Sequence, residues 1–592
     1  MGLSLLQDRM RGYMIQLQTK FSRQVDEHNV LPEYPRPSLV RTSYLNLNGR
    51  WECAFSKTPE IPLSFDLSIL VPFSPECQLS GVSRQLKPGE YLWYRRTITL
   101  AKPQQDKRIL LHFGAADQTA EVFVNRISAV RHCGGYLPFS ADITDYLQEG
   151  DNELIVRIQD ESNTSWHARG KQSLKPGGMF YTAQSGLWQT VWMEIVPVNY
   201  IEQIFYHTDY DQGLVHLKVL TQHSAPVECV ISGKDMEPVC INGMTNSELI
   251  VSLPDFHPWT PEDPFLYLVS LKSGVDRVSS YFAMRKCDIQ TAPDGTQRFF
   301  LNNKPYFQAG VLDQGYWPES LYTAPTDEAL IADISRMKKL GFNMLRKHAK
   351  IGPERFYYHC DQLGMLVWQD MVNGGSAYKH WFVTYLATLM NWNHISFSDD
   401  EKHAGLLSRL HPEGKDEFRR EITETIAFLY NHPSIVVWVP FNEGWGQFDA
   451  LAVCEQIRTL DSSRLVDHAS GWFDQKGGDI LSLHYYFLKL KFKPESKRAA
   501  ALTEFGGYSL SIPGHSCCKK VYGYKKFNST GTLTYGYIDL IRQTILPAVK
   551  KGIGATVYTQ LSDIEEETNG IYTYDREICK IDPDTLRKWN RA

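Results

Sequence analysis

SIVVWVPFNEGWGQFD, residues 434–449, holds the change from apolar to polar on which the reading of the fold turns. Its run Ile435–Val439 is too short for a helix and rich in β-branched residues, which is how a strand buried on both faces reads. Pro440 stops the run, and Asn442, Glu443, Gly444 and Gly446 follow at once. A carboxylate just past the C-terminal end of a buried parallel strand sits where barrel proteins keep their chemistry; a strand-end Glu facing water reads the same way. A second stretch breaks the tie. AALTEFGG, residues 500–507, is again a short apolar run closed by a carboxylate, Glu504, and a glycine pair. Sixty-one residues separate Glu443 from Glu504, about two strand–helix units at about 30 residues each. Two such carboxylates at one barrel mouth can face each other across one reacting bond.

The length of 592 residues exceeds one core and implies two to four domains. The hydrophobic share of 43% and charged share of 22% are those of an ordinary globular protein. A net charge of −5 offers no basic field for nucleic acid. The 14 Trp and 31 Tyr suit stacking on the apolar faces of sugar rings, and equally suit large sandwich cores. Eleven cysteines, scattered and without C-x-x-C, read as reduced thiols, with no disulfide framework and no zinc motif. The opening MGLSLLQDRMRGYMIQLQ lacks a signal-peptide pattern and no run of 18 apolar residues occurs, so the expected location is the cytoplasm, with no membrane partner. A homo-oligomer is compatible with the sequence and not specified by it.

Along the chain, Leu5, Leu6, Met10, Tyr13, Met14 and Leu17 have helical spacing, so an N-terminal helix is expected. From Leu45 to Asp160 the pattern alternates, as in YLWYRRTITL and ELIVRI, with turn signals between, predicting a β-sandwich or jelly roll within a unit of residues 1–197. Residues 198–285 hold GLVHLKVL and the rigid turn PWTPEDP, fitting an immunoglobulin-like sandwich. From residue 286 strands alternate with helices. Eight strand candidates, 306–311, 343–347, 365–369, 435–440, 464–468, 480–485, 500–503 and 554–559, predict a (β/α)₈ barrel over 286–592. Thr326 reads as the N-cap of its first helix, and Pro353 opens a second that ends near Gly364. The stretch 374–415, with Trp381 and Trp392, is an insertion placed to cover the barrel mouth.

Polar groups collect where the barrel strands end: Asp313, Arg346 with His348, Asp370 with Asn373, Asn442 with Glu443, His468, His484 with Tyr485 and Tyr486, Glu504, and Gln560 with Asp563. That many at one end make a pocket. No H-E-x-x-H spacing occurs, so neither metal nor cofactor is expected.

The order sandwich, immunoglobulin-like sandwich, barrel resembles glycoside hydrolase family two, the β-galactosidase and β-glucuronidase family. The resemblance runs from Leu45 to Arg576 and rests on LNLNGRW, LWYRR, LHFGAAD, GGYLPFS, SGLWQTVW, HPWTPEDPFLY, YFAMRK, KLGFNMLRKH, CDQLGMLV, WVPFNEGW and TEFGG. It implies Glu443 as general acid/base, protonated at rest by burial and by the like charge of Glu504, and Glu504 as ionised nucleophile, with the carboxyl groups about 5–5.5 Å apart. It implies that Asn442 bonds the hydroxyl beside the anomeric carbon, that Arg346 steadies Glu504, and that Tyr485 or Tyr486 hydrogen-bonds it. His348, Asp313, His484, Trp445, Gln560 and Asp563 join as sugar-binding candidates. Asp160, on a sandwich loop, either enters the pocket or caps a turn. The implied activity is that of a retaining exo-hydrolase of terminal β-linked sugars, β-D-galactosides first, on a carbohydrate partner. β-Glucuronides, β-mannosides, galactofuranosides and arabinopyranosides are the alternatives, beside a catalytically silent carbohydrate-binding protein. The Asn-x-Lys pair of the glucuronidase branch has no counterpart after Glu504, since Asn302-Asn303-Lys304 precedes the first barrel strand. Lys347 is expected to point outward, which leaves Lys171 and Lys175 as reserve cations.

Overall fold

The computed structural model describes residues 16–101, 105–393, 395, 397–486 and 490–590. The expected N-terminal helix falls largely outside the described residues. Where description begins, Gln16–Thr19 are not helical and a single 3₁₀ turn spans Lys20–Gln24.

The first sandwich packs a six-stranded sheet on a four-stranded one, both antiparallel. Alternation makes this possible, because every second side chain faces inward. Trp51, Tyr94, Val122, Val156 and Leu187 are among those filling the space between the sheets. The second sandwich, three strands against four, spans Ile201 to Phe282. Its strand Leu214–Thr221 alternates as its sequence does, burying Val215, Leu217 and Val219. The PWTPEDP turn fastens it to the barrel: Trp259 is fully buried and its indole N–H donates to the Asp361 carbonyl at 2.8 Å.

All eight barrel strands are present and parallel: one Gln308–Asp313, two Met344–Lys347, three Leu366–Asp370, four Ile435–Val439, five Leu465–Val466, six Ile480–Tyr485, seven Ala499–Gly506 and eight Ile553–Thr559. They pair in the order five-four-three-two-one-eight-seven-six. Strand seven runs to Gly506, past the expected end at 503, so Glu504 lies inside the strand and not after it. The first helix, Asp327–Lys339, is capped by the Thr326 hydroxyl, which accepts from the Ala329 N–H. The second, Glu354–Leu363, ends on Gly364 in the left-handed region. The insertion folds as helical turns over Trp381–Leu386 and Ala387–Trp392. Trp381 faces solvent, and the Trp392 side chain lies outside the described ones. Among the described residues no helix is long and apolar enough to cross a membrane.

The largest apolar cluster joins the first sandwich to the barrel mouth, with Tyr136, Tyr181 and Trp188 against Tyr316 and Tyr322. This seam seats the sandwich loop 160–185 over the C-terminal ends of the strands.

Candidate active site

Strands four, six and seven bring two carboxylates together. After strand four the chain turns at Glu443, whose φ of 49° is left-handed, and at Gly444, whose φ is 73°. A Cβ on Gly444 would stand 2.3 Å from the Phe473 ring, so only glycine fits there. A non-glycine residue in the left-handed region costs about 1–3 kcal/mol unless its surroundings hold it. Here the Glu443 N–H donates to the Ser470 carbonyl at 2.9 Å, pinning the turn to the loop after strand five. The Glu443 carboxylate then meets His484 of strand six, with Oε1 2.9 Å from Nδ1.

Glu504 approaches from strand seven. Its Oε2 accepts from the Tyr486 hydroxyl and lies 3.8 Å from His484 Nδ1; its Oε1 lies 3.4 Å from Arg346. Oxygens of the two carboxylates and the His484 nitrogen lie within 4.8 Å of one another. This approach of single oxygens fits the about 5–5.5 Å carboxyl spacing of retaining glycosidases. Burial pushes the Glu504 pKa up, but the charges of His484, Arg346 and Lys171 and the Tyr486 hydroxyl outweigh it, and the carboxyl titrates below the ordinary range.

Arg346 is fully buried. It donates two parallel bonds to Asp370, both 3.0 Å, and others to Asn442 Oδ1 at 2.9 Å and the Thr503 carbonyl at 3.1 Å. Burial works against its charge, but Asp370 and Glu504 keep it protonated. With Oδ1 taken by Arg346, Asn442 Nδ2 is left buried without a partner. His348 places Nδ1 2.9 Å from Gln314 Oε1 and leaves Nε2 unpaired, 3.7 Å from Glu504. Burial, with Lys171 and Arg346 nearby, drives its pKa far down, so the imidazole is neutral. Trp445 is buried beneath Tyr378, which stacks on it at 6.0 Å.

Lys171 comes from the sandwich loop. It is 7% exposed, and its Nζ stands 5.6 Å from the ring centres of both Tyr181 and Trp445. Among the described residues it forms no ion pair, yet its charge is felt at Glu504 and His348. Lys175, four residues on, is exposed.

The cavity in front of Glu443 measures about 460 Å³ and is walled by Trp472, Tyr485, Tyr486, Tyr522 and Tyr524, with Tyr385 and Leu389 of the insertion. A larger cavity of about 700 Å³ lies at the opposite end of the strands, but Glu262 is the one carboxylate among its described lining residues.

Several expected site residues face elsewhere. Period-two alternation turns Arg346 inward and Lys347 outward. Asp313, in register with Lys347, goes outward with it, and the two pair at 2.8 Å. Asp563 is held by Lys580 at 2.5 Å and the Gly570 N–H at 2.8 Å, and Gln560 donates to Asn569 at 2.9 Å. Each thus bonds within the last loop, with Gln560 Oε1 and Asp563 Oδ2 left buried without a partner. Asp160 caps its own turn, accepting from the Ser162 N–H at 2.6 Å. Tyr485 lines the outer cavity, and Tyr486 makes the bond to Glu504. Asn302-Asn303-Lys304 sits on a hairpin under the barrel, where Asn302 bonds the Trp259 carbonyl. The sequence reading missed Trp472 and Tyr524, whose ring stacks on that of Tyr486 at 3.9 Å. The alternation Tyr522-Gly523-Tyr524 is the one local signal that marked the latter.

Residues 78–192 match the glycosyl hydrolases family 2 sugar binding domain and residues 295–544 the glycosyl hydrolases family 2 TIM barrel domain. The chain is 25% identical over 441 residues to a β-galactosidase of Thermoanaerobacter pseudethanolicus, covering 70% of this chain and 54% of that protein. It is 24% identical over 450 residues to a β-glucuronidase of Chlorocebus aethiops, covering 67% and 63%. The chain thus spans less than two thirds of the length of either relative. A solved β-glucuronidase of Ruminococcus gnavus superposes with a TM-score of 0.74 at 17% identity over 95% of this chain and 99% of that one. With both domain models matched in order and the same three-part fold beneath them, the chain belongs to glycoside hydrolase family two.

Proposed function

We propose that the protein is a retaining exo-β-glycosidase. The observation that carries this reading is the pair Glu443 and Glu504, brought within 4.8 Å around His484 with Glu504 held ionised. In the first step Glu504 attacks the anomeric carbon while Glu443 gives its proton to the leaving oxygen; a glycosyl ester on Glu504 forms and the aglycone departs. In the second, Glu443 takes a proton from water, the water attacks the same carbon, and Glu504 leaves as carboxylate. Two inversions give retention. The unpaired Asn442 Nδ2 donates to the hydroxyl beside the anomeric carbon, and His484 orients the Glu443 carboxyl.

For the sugar, the first reading is β-D-galactoside, because Asn442 and His348, close enough to interact and with Nδ2 and Nε2 making no hydrogen bond of good geometry, are neutral groups suited to hydroxyls. One observation favours β-D-glucuronide as second reading: the buried Lys171 ammonium, with no carboxylate of its own among the described residues, could meet a sugar carboxylate. Comparing kcat/KM for nitrophenyl β-galactoside and β-glucuronide tests both. A glucuronide preference of tenfold or more, about 1.4 kcal/mol, reverses the order. No turnover of any nitrophenyl β-glycoside removes the enzymatic reading.

A further inference from the structure

We propose that Cys133, His167, Glu417 and Glu421 bind one divalent transition-metal ion, Zn²⁺ by ligand type, at the seam between the first sandwich and the barrel. The four come from three segments far apart in sequence, which is why no motif marks them. Cys133 ends the strand Ile127–Cys133, His167 lies on the loop that carries Lys171, and Glu417 and Glu421 are one turn apart on the helix Pro412–Leu429. His167 Nδ1 is 2.7 Å from Glu417 Oε2, Cys133 Sγ is 3.8 Å from the same oxygen, and all three donor atoms lie within 4.8 Å of one another. Tetrahedral zinc, with bonds of about 2.0–2.3 Å, needs donors about 3.3–3.8 Å apart, so shifts of about 1 Å bring these three into range, and Glu421, which stands outside the 4.8 Å group, completes the site by turning its side chain toward them.

Glu421 supplies an independent pointer. It is 8% exposed, and among the described residues its carboxylate accepts no hydrogen bond and no ion pair. Its Oε1 lies 3.0 Å from where a Cβ on Gly134, next to Cys133, would stand, so the fourth donor approaches through the space glycine leaves open. Two buried acids one turn apart are costly, and His167 beside Glu417 offsets only one of them. The neighbouring Arg420 pairs with Glu424 and donates to the Cys133 carbonyl at 3.2 Å, so it borders the site without bonding the Glu421 carboxylate. The other Glu417 oxygen already accepts from the Ala168 N–H at 3.3 Å, a bond that fixes the ligand's orientation. One thiolate, one imidazole and two carboxylates match zinc better than calcium or magnesium. Binding of one ion by groups of both domains ties the root of the Lys171 loop to the barrel.

The test uses the full chain, stripped with chelator and titrated with Zn²⁺ and with Co²⁺. One tight equivalent is expected, and bound Co²⁺ should show a thiolate-to-metal charge-transfer band. Cys133→Ser should abolish that band. Glu421→Gln, which cannot fail for want of the thiol, should weaken Zn²⁺ binding tenfold or more. Absence of the band in the wild-type chain, or Zn²⁺ affinity unchanged in Glu421→Gln, overturns the proposal and leaves any bound metal to Glu443, His484 and Glu504. Metal stoichiometry is read without turnover, so the outcome is independent of the hydrolase reading.

Discussion

Strands four and seven each deliver one carboxylate to the same pocket, and the two are kept in opposite company. Glu504 sits inside its strand, 5% exposed, with Arg346 and Tyr486 bonded to it and the charges of His484 and Lys171 close by. Glu443 sits outside its strand, on a left-handed turn, and the one side-chain partner seen for it is His484. Glu443 lines the open cavity, where the leaving group and water arrive; Glu504 lies behind it. The difference fits the roles proposed for them. A nucleophile must stay ionised in a dry place, so it is surrounded by cations and a donor. A group that gives and takes a proton must be reachable and able to change its charge.

The largest effect should come from the crowded side. Glu504→Gln should lower kcat by roughly four orders of magnitude or more, about 5.5 kcal/mol, with every substrate. A thermal melt close to that of the parent, measured alongside, separates this from misfolding. More than a few per cent residual turnover would mean that Glu504 does not attack. On the open side, Glu443→Ala should cost roughly 10²–10⁴-fold, and less with a nitrophenol leaving group that needs little protonation. Azide should restore turnover of that variant, because a small anion reaches the glycosyl ester without a general base. Rescue of Glu504→Gln instead would exchange the two roles.

This asymmetry was legible in the sequence only in part. The strand-end positions of Glu443 and the barrel order could be read, because a buried parallel strand leaves a continuous apolar run and its polar neighbour marks the mouth. Which side of a strand a residue faces was legible for Lys347, expected outward and found so, but not for Asp313. Asp313 was expected in the pocket and faces the helices with Lys347, since its register is set by pairing with strand two. Asp563 and Gln560 were likewise unreadable, because their partners Lys580 and Asn569 come later in a loop whose path follows no local pattern. Lys171 was visible only as a spare cation. Its place beside Glu504 depends on how one domain docks on another, through Tyr136, Tyr181 and Trp188, and no local spacing encodes that.

Tyr486→Phe sharpens the comparison at an intermediate scale. The Tyr486 hydroxyl is one of the groups that hold the Glu504 pKa down. Without it the pKa rises, so the ionised nucleophile is lost at a higher pH as the solution is acidified. The acid limb of kcat/KM should move upward, and kcat at neutral pH should fall about tenfold. An unmoved acid limb would detach that limb from Glu504.

Lys171→Met should give the smallest effect on a neutral sugar, and one that depends on the substrate. Lys171 bears on the crowded side in two ways: its charge lowers the Glu504 pKa, and its Nζ, lying against Tyr181 and Trp445, has no anion of its own among the described residues. Methionine keeps most of the stem that packs between Tyr181 and Trp445 and removes the charge. For a β-galactoside the first action alone is lost, so the acid limb should rise and kcat/KM near neutrality should change by about threefold or less. For a β-glucuronide the second is lost as well: a carboxylate would enter a desolvated pocket unmet, and kcat/KM should fall tenfold or more, about 1.4 kcal/mol. The ratio of the two rates in parent and variant cancels any general damage to the site. A ratio that does not move means that Lys171 works only through Glu504, and the glucuronide reading loses its support; a ratio that moves by tenfold makes Lys171 the residue that reads the sugar's charge.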